Sequence, residues 1–189
     1  MKKINQKLSF LAGGFVGLIV VALIVYRAGI PGDGSLVPSL LDDSESHWTW
    51  KNPVTSGETS IQSGWKQTEN TVYEGALLTI THKSGKSLVY ISHEKVSGDM
   101  SLYDYVAGVE DSMQDQLGIG QFEAVDEEYR FYEAEGAELF GKVVAETRVS
   151  IWRSGGDNFW EAVTITDQDY KDLEYEAVDI VNLLMGTTY

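Results

Sequence analysis

The sequence predicts an α+β domain, an antiparallel β-sheet flanked by helices, preceded by one transmembrane helix. Three observations carry this. An uncharged apolar run, Leu8–Tyr26, lies near the start of the 189-residue chain. Two stripes of apolar residues at helical spacing each follow a Ser/Thr-x-x-Asp start. Before and between them lie segments that alternate apolar and polar residues, as half-buried strands do. The order strands, helix, strands, helix calls for an antiparallel sheet with helices packed on it. The part left to fold in water is about one domain's worth.

Leu8–Tyr26 reads LSFLAGGFVGLIVVALIVY. At a rise of about 1.5 Å per residue, a helix of that length matches the hydrocarbon core of a bilayer. A cleaved signal peptide is the competing reading, because Lys2, Lys3 and Lys7 make a basic start. The run exceeds a signal peptide's usual apolar stretch, however, and no A-x-A cleavage site follows it. Residues 8–27 are therefore read as an uncleaved signal anchor. Three lysines stand before the span and only Arg27 behind it, so residues 1–7 are expected in the cytoplasm. The chain then sits in the cell (inner) membrane with its C-terminal domain periplasmic or otherwise extracytoplasmic. Ser9, Gly13 and Gly17 recur every four residues and share one helix face, where small side chains admit a second helix. The plainer explanation is that glycine is common in membrane helices.

Residues 28–46 contain two of the three prolines, with Gly, Asp and Ser clusters and no period, which describes a flexible linker. The domain spans 47–189. Trp48 and Trp50 share one face of its first strand. Its clearest hairpin is ALLTITH, a turn at Lys83–Lys86, then SLVYISH. That register sets Ile80 against Val89, Leu78 against Ile91, and His93 against Ala76. Ser101 and Asp104 form a capping box ahead of a helix over 102–117, with Leu102, Tyr105, Val106, Val109, Met113 and Leu117 as its apolar stripe. Strands follow at Phe122–Tyr132, Lys142–Trp152 and Phe159–Ile165. The last helix is expected to open at Thr166, capped with Asp169, to bury Leu173, Ala177, Ile180, Val181 and Leu184, and to end at Gly186.

Net charge is −15, and residues 31–189 hold 10 basic against 29 acidic residues. A charge-driven grip on nucleic acid is excluded, since phosphate binding needs Lys and Arg. The chain has no cysteine, hence no disulfide, thiolate metal site, cysteine nucleophile or lipidation site.

Chemistry is sparse in what remains. The hairpin register puts His82 and His93 at opposite ends of a strand pair, roughly 20 Å apart, which rules out a shared metal or dyad. No nucleophile elbow or phosphate loop occurs, and the segment SGGDN at 154–158 is turn chemistry. Asp167, Asp169 and Asp172 suit a helix N-terminus. No catalytic residue, cofactor or metal ligand is predicted. Glu123, Asp126, Glu127, Glu128, Glu133, Glu135 and Glu138 crowd one region with Arg130, as a solvated face, as a surface for a basic protein partner, or as a divalent-cation site, although the EF-hand spacing is missing. Trp152 and Trp160 flank the last hairpin turn. Trp152 falls on the wetter side of its strand with Arg148 and Ser150. Trp152, Trp160, Glu127, Glu128, Glu133 and Glu135 are thus the expected partner surface.

The hairpin ending at Ser92, the helix start SLYDY at 101–105, the strand from Gly141 to Trp152, the FWEAVTIT strand and Tyr170 together resemble the PsbP-like family across about 70–185. Relatives begin with a Pro-x-Trp stretch, whereas Pro53 and Trp65 lie far apart here. The resemblance implies an α-β-α sandwich and non-enzymatic work in binding, assembly or stabilisation of other proteins, and it supplies no shared active site. The expected function is a membrane-anchored extracytoplasmic module that binds or assembles another membrane or extracytoplasmic protein. The alternative is a small accessory subunit of a membrane complex, held by its transmembrane helix.

Overall fold

The computed structural model describes residues 47–68, 76–96, 98–117, 119–125, 131–140 and 143–189. The expected membrane span with Ser9, Gly13 and Gly17, the linker, and Glu127 and Glu128 lie outside the described residues. Among the described residues no helix is long and apolar enough to cross a membrane.

The elements are β1 (Trp48–Lys51), β2 (Glu58–Ile61), β3 (Trp65–Gln67), β4 (Ala76–His82), β5 (Ser87–Lys95), α1 (Leu102–Leu117), β6 (Glu123–Ala124), β7 (Phe131–Phe140), β8 (Val143–Ser154), β9 (Asn158–Asp167) and α2 (Lys171–Gly186). β1 and β2 form a separate ribbon, and the other strands form an antiparallel sheet in the order β3-β4-β5-β9-β8-β7-β6. The fold is an α-β-α sandwich, because each helix closes a core on its own side of this sheet.

Strand alternation sends Leu88, Tyr90, Ala145, Val149, Ile151, Val163 and Ile165 to the α1 side, where Leu102, Tyr105, Val106, Val109 and Met113 meet them. Ser101 caps α1 as expected, its hydroxyl accepting the Asp104 N–H at 3.1 Å and donating to the Asp104 carboxylate at 2.6 Å. The opposite face sends Leu78, Ile80, Val89, Ile91, Trp152, Trp160 and Ala162 toward α2, which buries Leu173, Ala177, Ile180, Val181 and Leu184.

The β4–β5 hairpin has the expected pairs Ile80–Val89 and Leu78–Ile91. A bulge between Ala76 and Leu78 slips the far end by one, so Ala76 faces Ser92 rather than His93. Three further expectations are corrected. The single strand over Phe122–Tyr132 is two strands, β6 and β7, which pair with each other. The last helix opens at Lys171 behind Tyr170, with no side-chain cap. Thr166 and Asp167 belong instead to β9, where Thr166 pairs with Ser87 and their hydroxyls bond at 2.7 Å. Two ladder partners and a buried hydroxyl bond outweigh the local capping pattern. The third correction concerns the face carrying Arg148, Ser150 and Trp152. It is wet only at the β7 end, because α2 covers the rest.

The ribbon is fastened where the chain ends. Asn52 Nδ2 donates to Thr187 Oγ1 at 3.3 Å, the Thr55 hydroxyl donates to the Thr187 carbonyl, and Trp48 Nε1 donates to the Trp65 carbonyl at 2.9 Å. Gly57 lies flat against this junction, since a Cβ there would sit 2.5 Å from the Thr187 carbonyl oxygen.

Candidate functional site

The β8–β9 hairpin brings Trp152 opposite Trp160, their rings stacked at 6.4 Å and 11°. Neither is a surface residue. Trp152 is 0% and Trp160 1% exposed, and each indole N–H is used inside, by the Thr188 hydroxyl at 2.9 Å and the Ser154 hydroxyl at 2.7 Å. The expected aromatic patch is therefore corrected. The two rings are core, roofed by α2 and the residues after it, and a buried indole with a bonded N–H has nothing left to offer a partner.

The acidic half of the expected surface is real where it is described. α2 packs over β9 and β5, and on the same side of the sheet the carboxylates of β6, β7 and the Glu146 end of β8 stay exposed or half-buried. Glu123 and Glu133 face each other across β6–β7, Glu135 faces Arg148 across β7–β8, and Glu146 follows on the same face. Arg148 reaches Glu133 at 3.8 Å, Glu135 at 2.5 Å and Glu174 on α2 at 3.8 Å. Three carboxylates thus reach one guanidinium, and Glu123 and Glu146 stand on the same face. Glu123 and Glu135 are exposed, and Glu133, Glu146 and Glu174 are half-buried. Like charges directly opposite in a sheet destabilise it, so this face carries more acid than packing needs.

The histidines do not assemble a catalytic set. His82 Nδ1 bonds the Ser84 hydroxyl at 2.7 Å within one turn, and burial lowers its pKa. Its ring meets Trp65 edge-on at 5.4 Å, and Nε2 lies against Gly64. An open groove of about 440 Å³ beside it is lined by Asp169, Tyr170, Lys171 and Asp172. No carboxylate bonds the second ring nitrogen among the described residues, so the Ser–His contact clamps the turn rather than activating a nucleophile. His93 bonds Asn158 at 3.0 Å and packs on Trp160 at 4.5 Å.

One group lies outside every sequence expectation. The α1-facing row of β9 runs Phe159, Glu161, Val163, Ile165, which puts a carboxyl where its neighbours are apolar. Glu161 is 0% exposed and neither of its oxygens has a hydrogen-bond partner. Burial, then the charge of Glu94, pushes its pKa up to about 8. Ser92, directly across on β5, is buried with its hydroxyl unpartnered as well. Glu94, also raised by burial, accepts the Tyr105 hydroxyl at 3.1 Å. Tyr105 stacks on Phe159 at 4.5 Å, and its own pKa is driven far up by burial and both carboxyls. The lone acid inside the apolar alternation was the only sequence signal for this cluster. No group of three or more His, Cys, Asp or Glu is placed to hold a metal among the described residues.

No family model and no curated protein matches the chain. Solved structures do. CyanoP, the cyanobacterial PsbP of Synechocystis sp. PCC 6803, superposes with a TM-score of 0.55 at 15% identity, covering 81% of this chain and 94% of that one. The Saccharomyces cerevisiae Ran-binding protein Mog1p gives 0.49 at 8% identity over 76% of this chain and 93% of its own. LpqN, involved in cell envelope biogenesis of Mycobacterium tuberculosis, gives 0.45 at 8% over 80% and 82%. The sheet order, the helix on each face and the CyanoP superposition agree: the described domain has the PsbP-like fold.

Proposed function

We propose that the chain is a membrane-anchored, non-catalytic module that binds or helps assemble another protein on the extracytoplasmic side, receiving a basic surface of that partner on the acidic β6–β7–β8 face. The observation that carries this reading is the charge of the face, where the described residues place Glu123, Glu133, Glu135, Glu146 and Glu174 with Arg148. An acidic surface also keeps a protein soluble. Solubility does not require that acids stand opposite one another on a sheet face, as Glu123 and Glu133 do. Such a face steers a cationic partner at long range. The membrane placement rests on the Leu8–Tyr26 run and the lysines before it.

The test is cross-linking of the full-length chain in its native membranes, with the captured partner identified and its surface charge examined. Charge reversal by Glu123→Lys with Glu135→Lys should abolish capture, and Tyr175→Ala on the exposed side of α2 should leave it intact. If capture survives charge reversal but is lost with Gly13→Ile and Gly17→Ile, the chain is instead an accessory subunit held by its membrane helix, the reading favoured by the Ser9, Gly13, Gly17 spacing. Protease protection of the C-terminal domain in sealed vesicles checks the orientation separately.

A further inference from the structure

The buried carboxyl under the start of α1 lies away from the acidic face and serves no purpose in partner docking. Carboxylates are almost never fully buried unless something pairs with them. The surrounding charges do not supply a pair. On β8 the residue opposite Glu161 is Ile151. The nearby Arg153 is already committed, its Nε to the Gly156 carbonyl at 2.6 Å, one Nη to the Met100 carbonyl at 3.0 Å, and its plane over Phe159 at 5.3 Å. His93 and Lys95 alternate to the other face of β5. From α1 the residue reaching this spot is Tyr105, a neutral oxygen.

What the fold does supply is oxygen. Ser92 and Glu161 are register partners on one face, so their Cβ atoms stand about 5 Å apart. Glu94 pairs with Phe159 and is thus one diagonal step away, roughly 7 Å. Three buried oxygens without partners, two from Glu161 and one from Ser92, thus lie on the same sheet face as the Glu94 carboxylate, which accepts the Tyr105 hydroxyl. We propose that Glu161, Ser92 and Glu94, with Tyr105 beside them, form a binding site for a hard divalent cation, Ca²⁺ by preference.

The donor chemistry selects the ion. All donors are oxygens, the chain has no thiolate, and the nearest imidazole faces away, which disfavours zinc and copper. The donors come from unequal positions on two strands and a helix, an irregular set that Ca²⁺ accommodates and Mg²⁺, which demands near-ideal octahedral geometry, does not. Two carboxylates with neutral oxygens place the affinity at the weak end, with a Kd of about 10⁻⁴–10⁻³ M, the range of extracellular calcium modules. Half-buried Glu94 gives the ion its way in. Once bound, the ion ties α1, through Tyr105, to the β5–β9 pair at the centre of the sheet.

The experiment uses the full-length chain, stripped with EDTA and titrated with CaCl₂ by calorimetry and by thermal melting. Wild type should show a saturable heat, a melting temperature raised by about 5 °C, and proton release on binding, because the buried carboxyl must ionise to ligate. Glu161→Gln keeps the shape of the neutral side chain, so it should melt in EDTA no lower than wild type and lose at least tenfold in Ca²⁺ affinity. Ser92→Ala, read in the same titration, should weaken binding several-fold and keeps the proposal testable if the Gln variant folds poorly. Glu58→Gln on the exposed β1–β2 ribbon should bind as wild type does, and MgCl₂ should act more weakly than CaCl₂. The proposal is overturned if no saturable heat appears up to about 10 mM CaCl₂, well above the expected range, or if Glu161→Gln retains the full calcium-induced shift.

Discussion

Glu161 and Gly57 are two residues whose identity the fold constrains for opposite reasons. In the metal-free protein the Glu161 pKa is raised from 4.5 to about 8, so the folded state holds a proton that the unfolded chain has released. The contribution of this group to stability is then greatest below about pH 4.5, declines as pH rises, and is lost above about pH 8. The upper bound on the loss is about 5 kcal/mol, since each pH unit between the two values is worth roughly 1.4 kcal/mol. Urea unfolding in EDTA at about pH 5 and pH 8 should show this decline in wild type and a much flatter profile in Glu161→Gln; a wild-type profile as flat as the variant's would mean that the carboxyl is charged and compensated. Gly57 matters through space rather than charge. A Cβ would sit 2.5 Å from the Thr187 carbonyl oxygen, a backbone atom held by neighbouring bonds, so Gly57→Ala should destabilise by about 1–3 kcal/mol in denaturant unfolding. A change under about 0.5 kcal/mol would mean that the ribbon shifts freely. Neither role could be read from the sequence, where Gly57 looks like an ordinary turn residue and Glu161 like the polar half of an alternation.

At the level of elements, legibility followed how local the deciding interactions are. The β4–β5 register and the α1 start were readable because neighbours in sequence decide them: a β-branched alternation around a bend, and a hydroxyl three residues before its carboxylate. Ser101→Ala should therefore cost about 1 kcal/mol by denaturant titration. The same change at Thr166, where the pattern looks alike, should act through the lost Ser87 bond in the sheet and not through α2. Amide exchange separates the two, since only the Ser101 variant should speed exchange in the first turn of its helix. β7 was missed because its sequence, FYEAEGAELF, puts Glu, Ala and Gly where a strand usually shows large apolar residues. Its pairing with β8 is long-range and leaves little trace in composition. The sequence puts Trp152 on a wet face because Arg148 and Ser150 share it; the covering helix lies later in the chain, and nothing near Trp152 announces it.

For the whole molecule, the fold class was legible because the order of elements permits few architectures, whereas the balance of charge has a consequence that only the assembled surface defines. Residues 31–189 carry 29 acids against 10 bases, and an exposed pair such as Lys51–Glu58 contributes little. Screening should relieve more repulsion than it removes attraction. Raising NaCl from about 0.01 M to about 0.15 M shortens the screening length from about 30 Å to about 8 Å, and the melting temperature should rise. A fall would mean that local pairs such as the Arg148 cluster dominate. The same salt increase should weaken partner capture, so stability and binding are expected to move in opposite directions.

The β1–β2 ribbon has a mechanical consequence. The chain enters the described domain at His47, next to Trp48, which pairs with Ile61 at the open end of a two-strand ribbon that, among the described residues, has no other strand beside it. Tension arriving at His47 would part that ribbon one rung at a time, the weakest way to load a β-structure, while the Thr187 fastening holds its far end. Before the ladder of the seven-stranded sheet is loaded, the ribbon and the Trp48–Trp65 bond that ties its open end to β3 would have to part. A domain hung from a membrane by its N-terminal side would therefore yield first at a short, re-formable strand pair, and its core and its acidic face would stay intact under pulling.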